Sequence, residues 1–168
     1  EASPNSPQTH FYLGAQLERL HRDREARGEL FRVLELDPDY ADALNYLGYM
    51  DAEDGVNLSQ AKARIARALE LDPDNGAYVD SLGWVYYQLG DYPQAVAHLE
   101  RAARLLETDP TIFDHLGDAY FKLGDLDQAK AAWRTALELD PTAESIKDKL
   151  KLLDADAVEH QAESLSVP

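Results

Sequence analysis

Cysteine is absent from this chain of 168 residues, and its one methionine is Met50. The absence of cysteine excludes disulfide bonds and thiol catalysis, but it does not separate cytoplasm from periplasm. The sequence also lacks an apolar run near the length of about 20 residues that a membrane-spanning helix requires. We therefore expect no direct membrane insertion by this segment. Because the chain begins with Glu1, we expect a processed protein or a piece of a longer one.

Basic residues are scarce. Sixteen lysines and arginines stand against 32 aspartates and glutamates, which gives a formal net charge of −16 at pH 7. Nucleic acid and anionic membranes both require a positive protein surface, so this composition argues against them as partners. A negative surface favours a basic partner, although a solvated surface that only promotes solubility would have the same composition.

Motifs for catalysis are lacking as well. The sequence contains no HExxH motif, no phosphate-binding loop and no Gly-rich dinucleotide motif. The nearest approach to a metal site is Asp114, His115 and Asp118. Successive residues of a helix diverge by about 100°, so His115 should point away from the two aspartates. We predict no metal site, no cofactor and no enzymatic activity, and a hydrolase is the disfavoured alternative.

The sequence contains instead a repeated pattern of small and apolar residues. Leu-Gly pairs recur with their glycines 34, 35 and 34 residues apart, and an alanine follows each glycine about a dozen residues later. Glycine and alanine have almost no side chain, so two helices can approach closely where they face each other. The glycines and alanines are Gly14 and Ala26, Gly48 and Ala61, Gly83 and Ala95, and Gly117 and Ala129.

The turn between the two helices of each unit is also specified locally. In the third unit Gly90 suits a helix end that requires positive φ, because it has no Cβ. Asp91 is a suitable N-cap for the second helix, and Pro93 fits its first turn. The unit is therefore predicted to be a helix-turn-helix.

This spacing resembles the tetratricopeptide-repeat (TPR) family over about residues 7–144. The resemblance implies an all-α, right-handed superhelical array of four helix-turn-helix repeats, with a concave groove that binds other proteins. The predicted units are a disordered lead-in at 1–6, repeats at 7–40, 41–75, 76–109 and 110–143, a capping helix at 143–157 and a flexible tail at 158–168.

The second and third units depart from the pattern. The second has a one-residue insertion before Ser59, which we predict to be the N-cap of the following helix. Asp51 occupies a core position there, either as a ligand contact or, as we prefer, at an opened helix end where it reaches solvent or an arginine. In the third unit we predict a second helix one turn longer, with Pro110 opening the next helix.

The last helix has an apolar face but no glycine. Its apolar residues Ile146, Leu150, Leu153 and Ala157 share one side, while Lys151 stands where a glycine would allow a partner helix. We predict a capping helix with its lysines on the outer faces. The first repeat has no such cap, so we expect this segment to be the C-terminal part of a longer array.

The groove is predicted from three positions of each first helix. The fifth, ninth and twelfth positions share a face, and in TPR proteins this face lines the concave groove. The partner-binding candidates at these positions are Asn45, Tyr49, Asp80, Trp84, Tyr87, Asp114, Asp118 and Phe121. Acids beside aromatics predict a protein or peptide partner with basic and apolar residues. The alternatives are that Trp84 and Tyr87 pack between helices, that Asp80 complements a helix N-terminus and that Asp118 pairs with Lys122.

A narrower resemblance covers residues 44–141. The segments LNYLGYM, DNGAYVDSLGWVYY, DHLGDAY and AAWRTALELDP are similar to the C-terminal repeats of large bacterial TPR proteins, some of which are exported lipoprotein adaptors. The resemblance implies a non-catalytic scaffold of the bacterial cytoplasm or periplasm, with a lean to the periplasm. The alternative within binding is a homo-oligomer that stacks through the uncapped first repeat.

Overall fold

The computed structural model describes residues 5–153, and the regular elements in that range are all helical. The predicted tail and Ala157 lie outside the described residues. The helices are α1 (Pro7–Arg19), α2 (Asp23–Leu36), α3 (Ala41–Glu53), α4 (Leu58–Leu71), α5 (Gly76–Gln88), α6 (Tyr92–Leu105), α7 (Pro110–Leu123), α8 (Leu126–Leu139) and α9, which is described over residues 144–153.

The helices form consecutive pairs. Contacts are most extensive within α1–α2, α3–α4, α5–α6 and α7–α8, and each pair packs on the next through its neighbouring helices. The first helix of one pair also contacts the first helix of the next, as α3 does with α5. The predicted all-α array of four repeats followed by a C-terminal helix is therefore confirmed.

Small residues lie where the two helices of a pair come closest. A Cβ added at Gly83 would lie 2.7 Å from Leu99 Cγ, and one at Gly48 would lie 2.6 Å from Ile65 Cγ1. Ala95 and Ala61, on the facing helices, are fully buried. Both distances are far below ordinary van der Waals contact, so a larger residue at either glycine would separate the helices.

The turn of the third repeat has the predicted geometry. Gly90 has a φ of 78°, the left-handed region in which a side chain is unfavourable. The side chain of Asp91 accepts a hydrogen bond from the backbone N–H of Gln94, and Pro93 lies in the first turn of α6. Local sequence therefore determines how α5 ends and α6 begins.

Two predictions of helix ends are wrong. Helix α6 has 14 residues, as do α2, α4 and α8, so it is not a turn longer. Pro110 does begin α7, where the side chain of Asp109 accepts from the backbone N–H of Thr111. Helix α4 begins at Leu58 after Asn57, which has a φ of 49°, so Ser59 lies inside the helix rather than at its N-cap. Asparagine tolerates this left-handed conformation better than most residues do.

Asp51 is enclosed rather than open to water. Only 2% of its surface is exposed, and its two carboxylate oxygens each accept a hydrogen bond, one from Arg27 and one from Arg64. The predicted contact with an arginine is confirmed, and the predicted route to solvent is wrong. Asp51 lies on α3 between α2 and α4, so the second helices of two repeats each supply one guanidinium.

Candidate functional site

An acidic cavity of about 530 Å³ lies on the face shared by the first helices of the repeats. Its lining includes six carboxylates and one arginine, Arg27, which is already bound to Asp51 and Asp54. The cavity therefore has a negative potential that a cationic ligand would neutralise. The lining carboxylates are Glu18, Asp23, Glu53, Asp54, Asp80 and Asp109.

Two polar atoms on the concave face lack a hydrogen-bond partner. In the described part of the chain, the buried side-chain atoms with this property are Asn45 Oδ1 and Trp84 Nε1. Leaving a buried polar group unpaired costs about 1–3 kcal/mol. Asn45 lines the cavity beside Tyr49. Both atoms are buried and have no protein partner within residues 5–153, and such atoms are unusual in a folded protein.

Trp84 is held by stacking within the protein. Its ring lies parallel to that of Tyr87, with centroids 4.5 Å apart, and stacks on the imidazole of His115 at 4.2 Å. The ring of Tyr49 lies 6.4 Å from that imidazole. Burial and the charge of Asp118 raise the pKa of Tyr87 to about 12, so its hydroxyl is protonated at neutral pH. This arrangement agrees with the alternative that Trp84 and Tyr87 pack between helices.

Asp80 pairs with the histidine of the next repeat. Nδ1 of His115 lies 3.0 Å from Oδ1 of Asp80, and both side chains are about nine-tenths buried. Burial by itself lowers the pKa of His115. The charge and hydrogen bond of Asp80, aided by the charges of Glu53 and Asp114, raise this pKa by more, so the net shift is upward. A protonated His115 stacked on Trp84 is favourable, because the face of an indole ring attracts a cation.

The acids of the fourth repeat are occupied by a lysine of the last helix. Nζ of Lys149 lies 2.7 Å from an oxygen of Asp114 and 2.7 Å from one of Asp118. The prediction that the lysines of this helix lie on its outer faces is wrong for Lys149. Asp118 also accepts a hydrogen bond from the indole N–H of Trp133 at 3.2 Å. Its alternative partner Lys122 is not the one bound in the structure.

Burial also shifts the pKa values of Asp118 and Lys149. It raises the pKa of Asp118, and the hydrogen bond from Lys149 only partly offsets the rise. Burial lowers the pKa of Lys149, but the hydrogen bonds with both aspartates raise it by more, so the net shift is upward. Lys149 is therefore charged at neutral pH and forms ion pairs with both Asp114 and Asp118.

The eight residues predicted from sequence fall into three groups. Asn45, Tyr49 and Asp80 line the cavity, while Trp84 and Tyr87 form the stack beside it. The remaining three, Asp114, Asp118 and Phe121, lie in the fourth repeat. Phe121 is 43% exposed, with its ring centroid 5.7 Å from that of Trp133.

Sequence reasoning missed two ion pairs, although the repeat period contains a signal for them. Asp80 and His115 are 35 residues apart, and so are Asp114 and Lys149. In an array with a period of about 34 residues, such positions lie side by side on neighbouring first helices. An acid followed by a basic residue one period later is therefore a candidate for an internal pair.

Between residues 5 and 153, no group of three or more histidines, aspartates or glutamates could hold a metal ion. No helix in this range is long and apolar enough to cross a membrane.

Comparisons with known proteins agree with the fold. A TPR repeat model matches residues 83–124, and a tetratricopeptide repeat model matches residues 110–143. The structure of pilF from Pseudomonas aeruginosa aligns with a TM-score of 0.78 and 22% identity, over 91% of this chain and 69% of that chain. No curated protein matches the chain in sequence.

Two further solved structures are similar over a shorter stretch. The first TPR of Spaghetti (RPAP3), bound to the HSP90 peptide SRMEEVD, aligns with a TM-score of 0.65 and 21% identity, over 70% of this chain and 93% of that chain. The first TPR domain of human RPAP3 aligns with a TM-score of 0.67 and 21% identity, over 74% of this chain and 98% of that chain. At these identities the likeness shows the fold alone.

Proposed function

We propose that this chain, which is a tetratricopeptide-repeat protein, is a non-catalytic adaptor that binds a basic segment of another protein on its concave face. The observation that carries the proposal is the acidic cavity that the first helices enclose, with Asn45 Oδ1 unpaired in its lining. Asp54 and Asp80 are paired within the protein, but other lining carboxylates, such as Glu53, have no salt bridge among the described residues and favour a ligand with donors. A basic peptide has donors on its backbone and on its side chains.

The chemistry of such a ligand follows from the lining. A lysine or arginine of the ligand would pair with Glu53 or Glu18, which line the cavity. Hydrogen bonds to charged groups are roughly twice as strong as neutral ones, so the basic side chains would supply most of the polar affinity. Tyr49 and Met50 add apolar contact in the same cavity.

The structural neighbours support a peptide as the class of ligand. The first TPR of Spaghetti is bound to an HSP90 peptide, SRMEEVD, whose C-terminal half is acidic. In this chain the cavity is lined by acids such as Glu18, Asp23 and Glu53, which would repel such a sequence. We therefore propose the same kind of ligand with the opposite charge.

The direct test is the binding of labelled model peptides, followed by fluorescence anisotropy. A short peptide that alternates lysine and leucine should bind, and a matched peptide that alternates glutamate and leucine should not. Glu53→Gln should weaken binding about two- to fivefold, as expected for loss of one partly exposed charge pair. Added salt should weaken binding of the wild-type protein, because partly exposed charges are screened.

Glu107→Gln is the matched control, since Glu107 is exposed on the α6–α7 loop and does not line the cavity. The two variants have the same net charge, so a general electrostatic effect would weaken both equally. Equal binding by Glu53→Gln and Glu107→Gln, or equal binding of the acidic peptide, would refute the proposal.

A second candidate function is self-association through the first repeat. On α1 and the turn that follows it, Tyr12 is 61% exposed and Leu20 is 65% exposed, which is high for large apolar side chains. Light scattering over a concentration series should show a dimer that Tyr12→Ser and Leu20→Ser abolish. A constant monomer mass at all concentrations would exclude this candidate.

A further inference from the structure

The contact between Lys149 and the fourth repeat places a cation of the protein itself in the acidic face. Its ammonium bridges Asp114 and Asp118, and all three side chains are less than a third exposed. The ammonium also lies 5.7 Å from the centre of the Trp133 ring, within reach of a cation–π interaction. Lys149 thus makes the contacts there that a basic residue of a ligand would make.

Lys149 is held in this position by the packing of α9. Ile146 and Leu153 are buried in the core that α6, α7 and α8 form, and Leu150 packs against the same core. Since the helix is already anchored, the contact costs little additional loss of translational freedom. A lysine that arrives on a separate peptide must meet that cost in full, so the internal lysine has the advantage.

Other lysines of α9 behave differently. Lys151 is 72% exposed and, among residues 5–153, pairs with Asp148 on its own helix. Lys147 likewise pairs with Glu144, three residues earlier. Lys149 is therefore the lysine of residues 144–153 that reaches another repeat, and Lys151 is a matched control with the same charge on the same helix.

We infer that Lys149 closes the acidic groove around Asp114 and Asp118 and confines a basic ligand to the cavity, which is lined mainly by the first three repeats. The inference rests on the proposed function, because it concerns where the proposed ligand is bound. It identifies Lys149 as a specificity-determining residue: it sets how many basic residues a ligand can place along the groove. Asp114 and Asp118 are then not contacts for the partner in the wild-type protein.

The chain contains a natural reporter for each end of the groove. Met50 is its one methionine and lines the cavity, so a ¹³C-labelled methyl group reports ligand there. The indole N–H of Trp133 donates to Asp118, so its NMR signal reports the fourth repeat. Trp84 is the one other tryptophan, and Trp84→Phe assigns the two indole signals.

The experiment titrates the lysine–leucine peptide into the wild-type protein, Lys149→Met and Lys151→Met. In the wild type and in Lys151→Met, only the Met50 signal should shift. In Lys149→Met the Trp133 indole should shift as well, and affinity should rise about two- to fivefold, as for one added charge pair. A Trp133 shift in the wild type, or none in Lys149→Met, would overturn the inference.

The proposed function and this inference fail in different ways. If the peptide moves neither Met50 nor Trp133 in the wild type and binds no more tightly to Lys149→Met, then both are wrong. If Met50 responds in all proteins and Trp133 responds in none, the cavity binds the peptide but Lys149 does not limit it.

A second variant covers the case in which Lys149→Met unfolds α9. Asp114→Asn removes a carboxylate that Lys149 already occupies, so it should change affinity for the peptide less than twofold in the wild-type background. Glu53→Gln in the same background should weaken binding about two- to fivefold. Equal losses for the two variants would mean that the ligand uses the fourth repeat despite Lys149, and the inference would be wrong.

Discussion

The closest contact between α5 and α6 can be tested by comparing two glycine-to-alanine substitutions. Gly83 faces Leu99, so an added methyl carbon would lie 2.7 Å from Leu99 Cγ and 3.3 Å from its backbone nitrogen. Leu99 is fully buried and cannot move aside into solvent. Gly28 also lies inside a helix, α2, but an added methyl carbon there meets nothing within 4 Å.

The two substitutions share one energetic contribution and differ in another. Replacing glycine by alanine inside a helix stabilises it by about 1 kcal/mol, because the unfolded chain loses conformational freedom. This gain applies to both sites. Overpacking a well-filled core costs about 1–3 kcal/mol, and it applies to Gly83 alone. We therefore expect Gly28→Ala to raise the free energy of unfolding. The free energy of unfolding of Gly83→Ala should be about 1–3 kcal/mol lower than that of Gly28→Ala.

Urea unfolding followed by far-ultraviolet circular dichroism measures this difference. Unchanged slopes with urea would show that both variants lose the same structure as the wild type. Gly83→Leu should have a lower free energy of unfolding than Gly83→Ala, since leucine adds more volume at the same contact. The reasoning is refuted if Gly83→Ala stabilises the protein as much as Gly28→Ala does, because the two helices would then not meet at Gly83.

Two further predictions concern buried charge. Asp51→Asn should lower the free energy of unfolding by about 3 kcal/mol, because it breaks the buried ion pairs with Arg27 and Arg64. The control is Asp54→Asn, which removes an exposed partner of Arg27 and should lower the free energy of unfolding by less than about 1 kcal/mol in the same urea experiment. The pKa of His115 is raised in the folded protein, so its stabilising contribution is fully present below the ordinary value of 6.5 and is lost as pH rises through the folded value. The urea midpoint of the wild type should therefore fall, relative to that of His115→Gln, from about pH 6.5 upward. If the two midpoints change with pH in the same way, the raised pKa of His115 is wrong.

The sequence by itself determined the repeat and its local geometry. The spacing of Gly48, Gly83 and Gly117 predicts where helices meet, because only a residue without a Cβ allows so close an approach. Gly90 and Asp91 predict a turn, because backbone φ and capping depend on one or two residues. These features follow from sequence because each rests on contacts within a repeat or with the next one, at a fixed spacing along the chain.

The tertiary structure alone decided which charged groups of the candidate site remain available. In the sequence, the groove positions 80, 114 and 118 cannot be told apart, because all three are aspartates. In the structure, Asp80 is paired with His115, while Asp114 and Asp118 are both paired with Lys149. Lys149 was expected to face outward because helical periodicity fixes the direction of a Cβ, but a lysine extends four further carbons on a flexible stem and can reach a neighbouring helix. Asp51 was expected at an open helix end, and two arginines from different repeats enclose it instead. Each of these outcomes depends on distances between side-chain tips on separate helices, which are set only when the helices pack.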